Sequence, residues 1–464
     1  MKRDVRYTPE QADVLDHMVE FDGIVLVEAG AGCGKSFMSR QIVQELPIKS
    51  GIYTAFNKAI VEEGIERFAG TPIECKTLHA MAYRAVRPKM DIKSFSYKCI
   101  TEKITYSEKR KIIDVLDTFF VSASTDMYDY FDENFKGHPR AKYMIGLAVK
   151  YVEAMADDSM SPTFNFLLKS LHLMLVEGTV EIKVDIVILD EINDVTAVSL
   201  EIFKLIEAPK KLGLGETNQA IYEFLNLVNG FEILKDDATT LKFTQSYRCS
   251  IDVAERIENK MRKVLNKDFR FKGTEKPVTN GKTLYCTLTN AMIVDKIQKR
   301  LAERKSFTLL RKPSDIFAAP LAVLSASTGK RPYQSKFEFL VDVYKEFKAQ
   351  SKHKTYFKFL LEEVDDEEIN NAVKLLQRLS SEGINLFSLY KEAKDAKPDK
   401  NYTISTVFTS KGLEFETVYI ADDLNNRFET ACRGELSDEE ALTAMRCYYV
   451  ACSRTGVNLQ NSVL

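Results

Sequence analysis

The segment AGAGCGKS (29–36) joins small residues to a lysine and a hydroxyl, a combination with few chemical uses. Small side chains let backbone N–H groups close around phosphate oxygens, and a helix beginning at the end of such a loop adds a favourable dipole. Gly30, Gly32 and Gly34 give that closeness, although Ala29 stands where the usual pattern has its first glycine. Lys35 is placed to reach the β- and γ-phosphates of a nucleotide, and Ser36 to ligate Mg²⁺. Further on, VDIVILDEIND (184–194) is an apolar run that ends in adjacent acids. A strand tip beside a phosphate loop can present Asp190 to the cation while Glu191 orients and deprotonates an attacking water. Together the two segments imply nucleoside triphosphate hydrolysis.

These residues must be carried by suitable elements. IVLVE (24–28) precedes the loop and the helical pattern FMSRQIVQEL follows it. GIYTAF (51–56), VDIVILD (184–190), KKLGLG (210–215) and TTLKFT (239–244) complete a first set of short strands; KTLYCTL (282–288), FTLLR (307–311), YTISTVF (402–408) and TVYIA (417–421) form a second. Strands alternating with helical stretches predict a parallel α/β sheet. Residues 87–178 and 334–396 read instead as helical blocks, as in KRKIIDVLDTFF and KFEFLVDVYKEFKAQ. At 464 residues there is room for about three domains. The simplest organisation is two α/β domains, each interrupted by helices. The formal net charge is −2, so any contact with a polyanion must be local. Eight cysteines without CxxC pairs point to reduced thiols and a cytoplasmic setting rather than disulfides or zinc. The start MKRDVRYTPEQADVL lacks an apolar signal segment, and no apolar run is long enough to span a bilayer.

Six further segments, in order from residue 7 to residue 454, resemble the motifs of superfamily 1 helicases of the UvrD/Rep type. They are YTPEQ (7–11), DEIND (190–194), GETNQAIYEF (215–224), QSYRCS (245–250), TVFTSKGLEF (406–415) and YYVACSRT (448–455). The resemblance implies two RecA-like P-loop domains with parallel sheets, each carrying a mainly helical insertion. Domain 1A would span 1–86 and 179–255, with insertion 1B at 87–178. Domain 2A would span 256–333 and 397–464, with a short insertion 2B at 334–396. By resemblance Gln11 reads adenine, and Glu414 lies near the ribose or triphosphate. Gln219 follows a strand near the nucleotide, so its amide can sense the γ-phosphate. Tyr247 can stack on a base, and Arg248 can reach developing phosphoryl charge. Arg454 is a second such arginine; the two are expected from opposite sides of a cleft, making hydrolysis depend on closure. Each such arginine is typically worth roughly 10³–10⁵ in rate. The sequence departs from the family pattern at Asn193, Glu216, Leu225, Ser246 and Phe408, but no phosphate ligand is lost.

Binding a single strand without sequence preference needs π faces for bases and polar or basic groups for the backbone. By motif position the candidates are Phe56 and Asn57 in TAFNKA (54–59), Thr77 and His79 in KTLHAMAYR (76–84), and Tyr222 with Phe224 after Gln219. Residues 260–282 hold eight Lys/Arg against two acids, interleaved with Phe269 and Phe271, which reads equally as a backbone-tracking patch or a solvated face. The implied activity is ATP- and Mg²⁺-dependent translocation on single-stranded DNA with 3′→5′ unwinding at single-strand/duplex junctions. The alternative is a translocase that displaces bound proteins with little unwinding. The implied partners are DNA and replication or repair proteins, for a monomer that does not enter membranes.

Overall fold

The computed structural model describes residues 7–55, 58–222, 226–350, 352–364 and 366–464. The chain divides into two compact units, Met1–Ser246 and Tyr247–Leu464.

In the first unit the strands are β1 (Gly23–Ala29), β2 (Gly51–Ala55), β3 (Ile73–Cys75), β4 (Ile186–Asp190), β5 (Val195–Thr196), β6 (Lys210–Gly215), β7 (Leu227–Val228) and β8 (Ala238–Phe243). β3-β2-β4-β6-β1-β8 form one sheet whose pairings are parallel throughout. β2 and β4 are buried at every position, as expected of central parallel strands covered on both faces. Around the sheet lie α1 (Pro9–Glu20), α2 (Lys35–Glu45), α3 (Lys58–Arg67), α4 (Leu78–Val86), α5 (Tyr106–Val121), α6 (Met127–Phe135), α7 (Ala141–Ala156), α8 (Phe164–Val176), α9 (Ala197–Leu205) and the short α10 (Gly230–Ile233).

Helices α5–α8 make the anticipated helical block. Their apolar faces do not form a separate core: Phe120, Phe131, Phe135 and Leu171 belong to one continuous buried cluster with Val187 of β4, Ile192 just after it, and Val198 and Phe203 of α9. The block is thereby fixed to the strand that ends in Asp190.

The second unit opens on β9 (Gln245–Ser250), which begins at the end of the first, and continues with β10 (Lys272–Thr274), β11 (Thr283–Thr287), β12 (Thr308–Leu309), β13 (Tyr402–Thr406), β14 (Phe415–Ile420) and β15 (Thr455–Gln460). Strands β12-β13-β11-β14-β15 form a second parallel sheet, while β9 and β10 pair apart from it. Helices α11 (Ile251–Val264) and α12 (Asn290–Ala302) precede a helical run of α13 (Pro313–Ile316), α14 (Ala318–Ser327), α15 (Phe339–Gln350), α16 (Tyr356–Glu363), α17 (Glu367–Ser381) and α18 (Leu386–Asp395). The chain ends through α19 (Val407–Ser410), α20 (Asp422–Cys432) and α21 (Asp438–Cys452). Two parallel α/β sheets with helical insertions match the class anticipated from the strand pattern and the RecA-like form implied by the resemblance. The eight cysteines carry free thiols, and among the described residues no helix is long and apolar enough to cross a membrane.

A buried cation closes the helical block. Lys169 on α8 is 2% exposed, and its Nζ donates to the carbonyls of Ser122 (2.7 Å) and Ser124 (2.8 Å), just past the end of α5, while lying 4.8 Å from the Phe119 ring centroid. A cation there meets the negative end of the helix dipole and unpaired carbonyls. Burial pushes its pKa down to about 8 from 10.5. The folded state therefore binds fewer protons than the unfolded state between those values, and stability from this group should rise as pH climbs from about 8 to 10.5. Lys169→Met should abolish that rise. It should also lower the thermal midpoint by roughly 4–8 °C, as expected for about 2 kcal/mol lost in a unit of this size. Melting curves of both proteins between pH 7 and 10 provide the check.

Candidate active site

β1 runs directly into the phosphate loop. Gly32 and Gly34 adopt φ of 72° and 87°, the left-handed region in which a side chain is disfavoured, and Gly34 caps α2 so that Lys35 is its first residue. The loop is pinned from β8, where the Gly30 N–H donates to the Phe243 carbonyl (3.1 Å), and from Ser246, whose fully buried hydroxyl donates to the Ala31 carbonyl (2.8 Å). Ser246 is a departure from the family pattern, and its role is visible here as a brace for the loop. Ser36 follows on the exposed first turn of α2.

The carboxylates come from β4. Register fixes their place: Asp190 pairs with Leu214 of β6, whose Gly215 pairs with Glu28 of β1. The ends of β4, β6 and β1 are therefore level, the edge at which parallel sheets bind ligands. Lys35 Nζ lies 3.2 Å from Glu191 Oε1, so the loop and the second acid meet directly. Glu191 has φ of 55°, a left-handed conformation costing a non-glycine residue about 1–2 kcal/mol. That kink turns the chain just after the strand, and its N–H donates to Asp190 Oδ1 (3.0 Å). Asp190 is 4% exposed. Its Oδ2 accepts from the Tyr53 hydroxyl (2.5 Å) and lies 3.6 Å from Arg67 Nη1. Burial first, and then the Asp190 charge, push the Tyr53 phenol pKa up, so that it remains a proton donor. Neither Tyr53 nor Arg67 was singled out from the sequence, because a tyrosine in an apolar strand reads as core.

Gln219 closes a short turn after β6 and is 4% exposed. Its amide donates to Glu216, whose own N–H donates to the Asn193 side-chain carbonyl (2.9 Å). Asn193 Oδ1 would sit 2.4 Å from a Cβ at position 215, which makes Gly215 necessary. Two departures from the family motifs, Asn193 and Glu216, thus join in one hydrogen-bonded chain that holds Gln219.

Gln11 is 3% exposed and forms a capping box with Thr8: Gln11 N–H donates to Thr8 Oγ1 (3.2 Å) and Thr8 N–H to Gln11 Oε1 (3.1 Å). TPEQ is therefore also a helix-start signal, with Pro9 at the first helical position. Its neighbours tie the helix to the site. Glu10 accepts from Thr244 N–H and Oγ1 (2.8 and 2.6 Å), and the Tyr7 hydroxyl donates to Gln41 on α2 (3.1 Å).

The later motif residues lie in the second unit. Arg248 is 7% exposed; its Nε and Nη2 lie 2.9 and 2.8 Å from Glu414 Oε1, and its Nη1 donates to the Ser453 carbonyl (2.9 Å). Arg454 is 1% exposed, donating from Nε to the Val450 carbonyl (3.0 Å) and from Nη2 to the Ser453 hydroxyl (3.2 Å). The sequence reading expected the two arginines from opposite sides of a cleft. Instead they belong to the same unit and bracket one residue, Ser453, because β9 departs from the first unit at Tyr247. Glu414, expected near ribose or triphosphate, is the counter-charge of Arg248. Tyr247 beside it is 47% exposed.

Of the nucleic-acid candidates, Phe56, Asn57 and Phe224 lie outside the described residues, as does Leu225. Thr77 caps α4, its hydroxyl accepting from Ala80 N–H (3.1 Å). His79 lies 3.4 Å from Asn165 Oδ1, and burial, opposed by that contact, holds its pKa below the ordinary histidine value, so the ring is neutral. Phe164 packs edge-on against His79 with centroids 6.1 Å apart and is 56% exposed. It was overlooked in the sequence, where only an apolar residue opening a helical block marks it. Tyr222 is partly exposed just after the Gln219 turn. In the basic segment 260–282, Phe269 and Phe271 are buried edge-on against Tyr449, so these rings are core and not base platforms.

Among the described residues no three His, Cys, Asp or Glu side chains gather to hold a metal by themselves. Mg²⁺ does not require such a cage, taking one or two protein ligands beside substrate phosphates and water. Ser36 with a buried, oriented Asp190 fits that pattern.

The chain is 23% identical to F-box DNA helicase 1 of Gallus gallus over 473 residues, covering 90% of this chain and 45% of that protein. It is 22% identical to F-box DNA helicase protein 1 of Schizosaccharomyces pombe over 517 residues, covering 96% of this chain and 56% of that protein. The chain thus spans about half the length of these curated relatives. The model of the UvrD-like helicase C-terminal domain matches residues 79–463, a span that starts at His79 and runs through both arginines. The chain belongs to the UvrD-like helicase family.

Proposed function

We propose that this protein is an ATP-dependent single-stranded DNA translocase and 3′→5′ DNA helicase, hydrolysing ATP between its two RecA-like domains. The observation that carries this reading is the convergence of Lys35, Asp190, Glu191 and Gln219 at the level ends of β1, β4 and β6, with Lys35 and Glu191 3.2 Å apart.

An arriving triphosphate takes Lys35 away from Glu191. The carboxylate so released can accept a proton from the attacking water, which the kinked backbone at 191 directs toward the loop. Gln219, held by Glu216, reports the γ-phosphate to the adjoining segment that carries Tyr222. Ser36 and Asp190 would hold Mg²⁺, which when bound neutralises charge on the β- and γ-phosphate oxygens. Arg248 and Arg454 supply further positive charge to the departing phosphoryl group. Since Ser453 contacts both, they act as one rigid unit, and closure of the domains brings them in together. Exposed Phe164, with His79 and Thr77 beside it, offers a stacking face and uncharged polar groups to a single strand. In this reading the relatives named as DNA helicases indicate the track, and the first and second units correspond broadly to domains 1A/1B and 2A/2B.

Three outcomes are expected. Steady-state ATPase should rise well above its basal rate on adding single-stranded DNA; turnover indifferent to DNA would sink the proposal. Lys35→Ala should reduce turnover to background while DNA affinity, measured by fluorescence anisotropy, stays within about twofold, because the lysine acts on phosphate alone. On tailed duplexes, displacement should require a 3′ tail, and activity confined to 5′-tailed substrates would reverse the assigned polarity.

A further inference from the structure

We propose that Tyr53, oriented by Arg67, is a positioning residue for Asp190 and fixes which carboxylate oxygen is offered to the divalent cation of the bound nucleotide. The inference rests on the reading above, in which Asp190 is a cation ligand.

The geometry is directional. Arg67 Nη1 donates to the Tyr53 hydroxyl oxygen (3.1 Å). A guanidinium has donors only, so the phenol must accept from Arg67 and aim its own hydrogen at Asp190 Oδ2, 2.5 Å away. On the other side of the carboxylate, Oδ1 accepts from the N–H of Glu191, which the left-handed backbone at that residue turns inward. Both oxygens are thus restrained and the carboxylate cannot rotate. Oδ2 faces Tyr53 and Arg67, which leaves the second lone pair of Oδ1 as the natural donor to a cation. Asp190 is thereby set up as a monodentate ligand.

The support beneath Tyr53 is built for its ring. Tyr53 is fully buried on β2, two residues before Ala55, the register partner of Asp190, so the two side chains leave the same face of the sheet. Helix α3 holds the ring from above. Gly64 leaves the space it needs, since a Cβ there would lie 2.5 Å from the ring; Phe68, just beyond the helix, packs at 5.1 Å between centroids, and the Arg67 guanidinium lies 5.5 Å from the ring centre. A tyrosine needing only a partner for its hydroxyl would not require a glycine, an aromatic neighbour and an arginine set around one acid. Groups that orient a metal ligand in this way typically change metal affinity or activity about 10–100-fold when removed.

Tyr53→Phe keeps the ring and deletes the O–H, which makes it the discriminating variant. Mn²⁺ binding to the protein in the presence of ADP, followed by electron paramagnetic resonance, should weaken about tenfold or more in Tyr53→Phe. The affinity for a fluorescent ADP in EDTA should stay unchanged, and the free Mg²⁺ giving half-maximal ATPase should rise in parallel. Arg67→Leu should shift Mn²⁺ binding in the same direction by losing the orienting donor. Equal Mn²⁺ affinity in wild type and Tyr53→Phe, with only a lower melting temperature, would reduce the tyrosine to a core residue and overturn the proposal. Tighter Mn²⁺ binding in Arg67→Leu would show that the guanidinium acts as a competing charge, and would overturn its positioning role. A wild-type protein that takes up no Mn²⁺ with ADP would instead refute the assignment of Asp190 on which the inference stands.

Discussion

The parallel pairing of β4, β6 and β1 is the constraint from which the site follows. Because Asp190 pairs with Leu214, and Gly215 with Glu28, three chain segments far apart in sequence leave the sheet at one level. A one-residue slip of β4 would turn Asp190 to the opposite face, away from Tyr53, and move Glu191 off Lys35. Register here is strongly determined, since β4 is buried along its length and β6 from Leu212 onward. The apolar run VDIVILD therefore does more than build the core, for its burial sets the place of the acids that follow it.

Substitutions relative to the usual family motifs are compensated locally. Asn193 reaches the N–H of Glu216, Glu216 accepts from Gln219, and Gly215 leaves room for the asparagine carbonyl. Ser246 reaches the Ala31 carbonyl and so braces the phosphate loop. Asn193 and Glu216, which look like losses when read singly, are here joined changes.

How much could be read beforehand follows from how tightly chemistry restricts residue type. The phosphate loop was legible because Gly32 and Gly34 must adopt positive φ and because a lysine and a hydroxyl must follow. The acids were legible because an apolar strand rarely ends in two adjacent carboxylates without reason. The parallel α/β class followed from alternating strands and helices, and its RecA-like form from the motif resemblance. Tyr53 and Arg67 were illegible, since nothing local separates a tyrosine serving an acid from one filling a core. Phe269 and Phe271 were ambiguous in the opposite sense: the lysines and arginines around them read equally as a backbone-tracking patch or a solvated face, and the structure shows only that both rings pack on Tyr449. Gln11 shows a third difficulty, where one motif admits two readings. The amide assigned by resemblance to adenine completes a capping box with Thr8, so the same four residues read as a helix start on physical grounds alone.

The placement of Arg248 and Arg454 changes what cooperation between them requires. Arginines on opposite walls would have to be brought together by each cycle, and the loss of one would leave the other free to act. Bracketing Ser453 in a single unit, they are already mutually oriented: one donates to its carbonyl, the other to its hydroxyl. Holding two like charges close in a buried place is unfavourable unless both are hydrogen-bonded and at least one is neutralised. Glu414 meets that need for Arg248, and the Val450 carbonyl accepts from Arg454. A phosphate approaching Arg248 must share its guanidinium with Glu414. The acid of the KGLEF segment is thus tied to that arginine, and through it to the Ser453 turn.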